Sequence, residues 1–178
     1  MAREWTASRV TIRPETSEDV ADVRRVNELA FGKSVEANLV NRLRQACADA
    51  LSLVAEDGVV VGHILFTPVV IESAGRQVVG MGLAPMAVIP GRQRHGIGSQ
   101  LVRRGLDILR DRGCPFVVVV GHPEYYPRFG FEPASTRGVA SQWAGIADAA
   151  FMILVLDAHA MRGISGVATY RDEFNEVA

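Results

Sequence analysis

Lysine is almost missing from this chain: Lys33 is the one lysine among 19 Lys and Arg residues. That skew has the look of a coding bias, so no argument can rest on arginine having replaced lysine. Cysteine is scarce too. Cys47 and Cys114 are too few for a disulfide framework, and neither sits in a pattern with metal-ligand spacing, so no metal is expected. An excess of either charge is also absent. A net charge of −1 provides no basic surface for nucleic acid or an acidic membrane. No apolar run is long enough to span a bilayer, and Met1-Ala-Arg-Glu-Trp does not open a signal peptide. The expected setting is cytoplasmic, with no membrane or nucleic-acid partner. What is present is 48% apolar and 22% charged residues over 178 positions, enough for one globular domain spanning residues 1–178. No motif sets an oligomeric state, and a homodimer is compatible with the chain.

The stretch that organises the rest is Gln93-Arg94-His95-Gly96-Ile97-Gly98. An extended apolar run, Val78 to Val88, precedes it. An amphipathic run, Leu101 to Arg112, follows, and then Pro115 to Gly121 with four valines in a row. This order reads as a βαβ unit whose turn opens a helix. A helix start exposes unpaired N–H groups and the positive end of the macrodipole, which attract phosphate. Gly96 and Gly98 allow a diphosphate close to the backbone. A Walker loop fails because Ile97 stands where lysine is required. A dinucleotide fingerprint fails because Leu101 fills a position that must be small. A plain tight turn remains the other reading of the hexapeptide.

The rest of the chain reads in order. Val10 to Arg13 is a first strand. Thr16 or Ser17 caps a helix with the stripe Val20, Val23, Val26, Asn27 and Ala30, and Ala37 to Cys47 forms a second. Leu51–Glu56 and Val59–Ile71 are strands joined at Asp57-Gly58, a hairpin signal calling for positive φ at both positions. Pro68 implies an edge position or a break. With Gln77–Val88 these strands form an antiparallel meander. Ile97, Leu101, Val102, Ile108 and Leu109 form the buried face of the central helix, which Gly113 and Pro115 stop. The valine run is a buried parallel strand. Ala134–Ala149 reads as a long loop, Phe151–Leu156 as a strand and Gly163–Tyr170 as a terminal strand. Pro85 has no N–H to place in a ladder, so its strand should bulge or part from its neighbour there. Backbone groups of Met86, Ala87 and Val88 would then lack partners.

Three segments occur in one order: Leu83-Ala84-Pro85-Met86-Ala87-Val88, the glycine hexapeptide, and Tyr126-Pro127-Arg128-Phe129-Gly130-Phe131. Together they resemble the GCN5-related N-acetyltransferases, the GNAT superfamily, over about residues 10–156; residues 158–178 carry no motif. The resemblance implies an α/β fold of α+β type. Its central sheet is mixed, with an antiparallel N-terminal meander, one βαβ crossover and a splay between two central parallel strands. It implies acetyl-CoA as co-substrate, with its pantetheine along Met86, Ala87 and Val88. Its diphosphate would lie on Gln93, Arg94, His95, Gly96, Ile97, Gly98 and Ser99. It implies Tyr126 as general acid, with Tyr125 as a rival, and backbone N–H groups of Met86 or Ala87 facing the thioester oxygen. The acceptor would be a small-molecule or peptide amine, held near Phe31–Asn38 and Ser135–Asp148, where Glu28, Glu36 and Asp148 could attract a cation. Some family members carry a glutamate at the position of Gly82; here the base is open among His63, His122, Glu72 and Glu124. A non-catalytic acyl-CoA sensor of the same fold is the alternative.

Overall fold

A computed structural model of the chain describes residues 9–177; the opening pentapeptide discussed above lies outside them. Two helices, α1 (Val20–Phe31) and α2 (Val35–Ala46), follow a short first strand, β1 (Thr11–Pro14). The meander is β2 (Leu51–Asp57), β3 (Val59–Ser73) and β4 (Arg76–Val88). Helix α3 (Ile97–Asp111) and β5 (Phe116–Val120) complete the crossover. Then come β6 (Glu132–Pro133), β7 (Val139–Ser141), β8 (Phe151–Val155) and β9 (Gly166–Thr169). The sheet runs β1-β2-β3-β4-β5-β8-β6, with β4 and β5 parallel, as a mixed α/β architecture requires.

Each face of the sheet buries its own core. Val23, Val26, Leu39 and Leu43 from α1 and α2 cover Leu65, Val69, Phe116 and Val118. On the other face Ile97, Leu101 and Leu109 from α3 cover Ile64, Phe66, Leu83 and Val117. Strand side chains alternate between faces, so neighbours such as Leu65 and Phe66 belong to different cores. Cys47 is buried, 7% exposed, but it lies just past the end of α2 in extended backbone, its N–H donating to Leu43 O, so the second helix stops one residue short of it.

Three other expectations need correcting. Only Gly58 of the Asp57-Gly58 pair takes positive φ, and a register shift between Ala55 and Glu56 takes up the remaining turn geometry. The buried face of α3 includes Gly105 and Leu106, whereas Ile108 is half-buried. A Cβ at Gly105 would sit 2.3 Å from the Phe66 ring, so glycine there admits a large side chain from the strand below. The stretch after Ala134 is not all loop: β7 pairs in parallel with β9, and β9 pairs with β3. Pro68 does occupy an edge. Strand β2 begins at Leu51, opposite Phe66, and β9 pairs with β3 only from Val70 on, leaving β3 bare on that side at Pro68.

Candidate active site

The pairing of β4 with β5 stops early. Its register runs Met81↔Val117, Gly82↔Val118, Leu83↔Val119, and no further. On its other side β4 stays paired with β3 through Val88↔Gly62, after an extra residue is absorbed between Leu83 and Met86. That extra residue falls at Ala84-Pro85, where proline interrupts the donor row. The two central strands therefore part from the level of Ala84 onward, and the tip of α3 stands at the open end.

Which backbone groups face the gap follows from the ladder. Ile89 N–H donates to Val61 O at 3.0 Å, so Val88 and Gly62 form a pair that does not exchange bonds. By alternation Ala87 exchanges both its bonds with His63, while Met86 and Val88 turn theirs away from β3 toward the gap. Ala87 is thus excluded as a backbone contact, for a reason of register. The carbonyl of Val88 is also taken, because Gln93 Nε2 donates to it at 2.9 Å. What remains toward the gap is the backbone of Met86 and the N–H of Val88.

The turn before α3 reverses with positive φ at Arg94 (61°) and Gly96 (83°). Gln100 N–H is the first to reach back, to Gly96 O at 3.0 Å, so the N–H groups of Ile97, Gly98 and Ser99 point out of the helix start. A cleft of about 650 Å³ joins this tip to the strand gap. It is lined by Met86, Val88, Gln93, Arg94, Gly96, Gly98, Ser99 and Tyr126, by Tyr125 and His122, the rival acid and one of the candidate bases, and by Arg92 and Arg128, which had not been singled out. The side chains of Ala87, His95 and Ile97 do not line it. Ala87 and Ile97 are buried on opposite faces of the sheet, and the exposed His95 ring bonds the carbonyl of Gln93 at 2.7 Å. Three arginines and no carboxylate line this cleft, which suits an anion; Arg92 is also paired with Asp57.

Tyr126 is 7% exposed, with Phe131 edge-on at 5.7 Å and Gly121 leaving room for its ring: a Cβ there would be 2.3 Å away. Burial, and then the Tyr125 phenol, push its hydroxyl well above the ordinary tyrosine value, so it stays protonated at neutral pH. Tyr125 bonds Ser99 Oγ at 3.1 Å, beside the helix tip, and Arg128 lies over its ring. The signal that could have found Arg128 is its place inside the Tyr126–Phe131 segment.

The other candidates separate clearly. His63 is fully buried and held by Asn27 and Ser52, so it is a packed residue, not a reachable base. Glu72 and Glu124 are exposed, and Glu72 binds Gln77; His122 is exposed at the cleft. Glu28 and Glu36 are already paired with Arg24 and Lys33, and Asp148 lies on the surface. Among the described residues no cluster of three His, Cys, Asp or Glu side chains could hold a metal ion, and no helix is long and apolar enough to cross a membrane.

Residues 11–134 match the family model of the acetyltransferase (GNAT) domain, which covers more than half of the chain. The chain belongs to the GNAT acetyltransferase family. Among its relatives in Escherichia coli K12 is YhbS, named an uncharacterized N-acetyltransferase, 37% identical over 166 residues covering 92% of this chain and 98% of YhbS. YjhQ, named likewise, is 43% identical over 133 residues, 73% of this chain and 74% of YjhQ. The crystal structure of E. coli YhbS in complex with CoA superposes with a TM-score of 0.86 at 35% identity, over 95% of this chain and 93% of that one. A GNAT acetyltransferase from Brucella melitensis in complex with acetyl-CoA gives 0.75 at 36% identity, over 94% and 99%.

Proposed function

We propose that this GNAT acetyltransferase uses acetyl-CoA to acetylate a primary amine by direct attack. The observation that carries the reading is the strand gap. Beyond Leu83 and Val119, β4 presents backbone groups of Met86 and Val88 with no strand to receive them. Unpaired amides are costly once buried, so an extended ligand bearing its own amides is favoured there. Pantetheine is such a ligand, and its diphosphate would reach the N–H groups of Ile97, Gly98 and Ser99 at the α3 tip. The arginine-lined cleft suits that charge, and two similar proteins are described with CoA or acetyl-CoA bound.

In this reading a neutral amine attacks the acetyl carbon, forming the N–C bond as the C–S bond breaks. Met86 N–H faces the gap and stabilises the oxygen that gains charge. Val88 N–H meets a pantetheine carbonyl. Tyr126, kept protonated by its burial, gives its proton to the departing thiolate. The amine's proton leaves to water, since no carboxylate stands at Gly82.

Free CoA thiol released from acetyl-CoA across an amine panel tests the reaction, and a rise in melting temperature with acetyl-CoA but not with NAD or ATP tests the ligand. Thermal stabilisation by acetyl-CoA with no thiol release for any amine would favour a sensor. No stabilisation by acetyl-CoA would remove the cleft assignment.

A further inference from the structure

Behind Gly82, on the face of the sheet covered by α1 and α2, lie two hydroxyls with nothing to bond. Gly82 belongs to the penultimate rung before β4 and β5 part, paired with Val118 on one side and Thr67 on the other. Thr67 is fully buried and its Oγ1 has no hydrogen-bond partner; Tyr170 is 5% exposed and its hydroxyl has none either. Both belong to the same corner. Directly paired residues on adjacent strands face the same way, so Thr67 points to the side where Gly82 has no side chain. The Tyr170 ring fills that vacancy: a Cβ on Gly82 would lie 2.6 Å from its Cε1.

Tyr170 reaches this place because β9 pairs with β3 as far as Thr169↔Val70. Its N–H donates to Gln142 Oε1 at 2.6 Å, and its ring packs on Trp143 at 4.7 Å and Phe174 at 5.4 Å. The ring is therefore well held while its polar end is unsatisfied, which native interiors rarely tolerate. Burial, and then the Tyr126 phenol, push the Tyr170 hydroxyl above its ordinary value, so it is neutral and can accept a hydrogen bond. Tyr126 packs in the α3-side core and Tyr170 in the opposite one, with the parting strands between them.

The geometry points to Tyr170 and Thr67 as the residues that receive the N–H groups of the acceptor amine at the closed end of the strand gap, on the side of the sheet away from α3. This rests on the acetyl-CoA reading above. The incoming nitrogen would be oriented by Tyr170 Oη and Thr67 Oγ1 with its lone pair toward the acetyl carbon. Gly82 is then glycine because a side chain there would displace the Tyr170 ring.

Two CoA thioethers test this without knowing the natural acceptor. S-carboxamidomethyl-CoA carries an NH2 near the position of the attacking nitrogen, and S-acetonyl-CoA carries a methyl group in its place. By titration calorimetry the unmodified protein should prefer the carboxamide by about tenfold, the scale of a hydrogen-bonded pair that is otherwise left unsatisfied. Tyr170→Phe keeps the aromatic packing. It should reduce that preference to within about twofold and leave S-acetonyl-CoA affinity unchanged. Its melting temperature should not fall, because the hydroxyl removed had no partner. A hydroxyl with a merely structural role would lower the melting temperature and leave the preference intact. Should Tyr170→Phe not fold, the shape-conserving Thr67→Val must lose the preference instead. No preference in the unmodified protein, or a preference surviving these substitutions, overturns the proposal. If neither thioether binds at all, the acetyl-CoA reading falls with it; if both bind equally well, only this proposal falls.

Discussion

Mild acidification should destabilise this protein chiefly through His63. His63 is fully buried in β3. Asn27 Nδ2 donates to Val23 O at 2.9 Å, which sets the amide orientation, so the same nitrogen donates to His63 Nδ1 at 3.1 Å. The proton then sits on Nε2, which donates to Ser52 Oγ at 3.0 Å, and Ser52 donates to Glu15. Glu15 lies 3.8 Å from Nε2, but Arg44 and Ser52 already occupy it, so it does not hold an imidazolium. Burial, and then the charge of Arg44, lower the His63 pKa from 6.5 to about 3. The fold thus favours the neutral ring. Its contribution is complete above 6.5 and is lost as pH falls toward 3, because the unfolded chain takes up the proton first. Between about pH 7.5 and about pH 4.5 the loss is about 3 kcal/mol, from roughly 1.4 kcal/mol per unit over the two units below 6.5. Arg13 holds the buried Asp19 carboxyl below its ordinary value of 3.8, so its own contribution is lost only as pH falls below that value. Arg171 likewise holds Glu173 below its ordinary value of 4.5, so its contribution begins to fade only at the lower edge of the window, and the comparison with a His63 variant isolates the histidine. Urea unfolding followed by far-UV circular dichroism, on the unmodified protein and His63→Gln at both pH values, reads the effect. The drop should shrink by about 3 kcal/mol in the variant, by the same linkage. Equal drops in the two proteins would refute the buried neutral histidine.

The remaining predictions concern the cleft and the core. Tyr126→Phe should lower kcat by about 100-fold while leaving acetyl-CoA affinity within about twofold, since a general acid acts on the leaving group; unchanged turnover would remove Tyr126 from that role. Gly96→Val should abolish acetyl-CoA binding measured by calorimetry, because a branched residue cannot adopt φ 83° without strain and its side chain would enter the ligand's path. Retained affinity would contradict the phosphate assignment. Gly105→Ala should destabilise the fold by about 1–3 kcal/mol in urea, through overpacking against the Phe66 ring. A neutral result would show that this core can yield where it is drawn tight.

What could be read in the chain was local. The glycine turn before α3, the helical stripes of α1 and α2, the stop at Gly113 and the break at Pro85 each depend on a few adjacent residues. Their φ restrictions, missing donors and periodicities act wherever the rest of the molecule lies. The chain's resemblance to GNAT proteins rests on three such segments. By contrast, Ala87 faces β3 while Met86 and Val88 face the gap only because one extra residue is absorbed at Ala84-Pro85, and a slip of one reverses every residue in a strand. Nothing near Gln93 announces that its amide would cap Val88, or near Gly105 that Phe66 would press against it. Tyr170 lies 88 positions beyond Gly82 in a stretch without a motif, and only the pairing of β9 with β3 brings its ring there. The sequence by itself determined the turns, the helices and the phosphate-seeking helix tip, because backbone sterics and periodicity are properties of neighbours. Register and long-range pairing decided which groups look into the gap, because those are settled by residues that meet only in the folded chain.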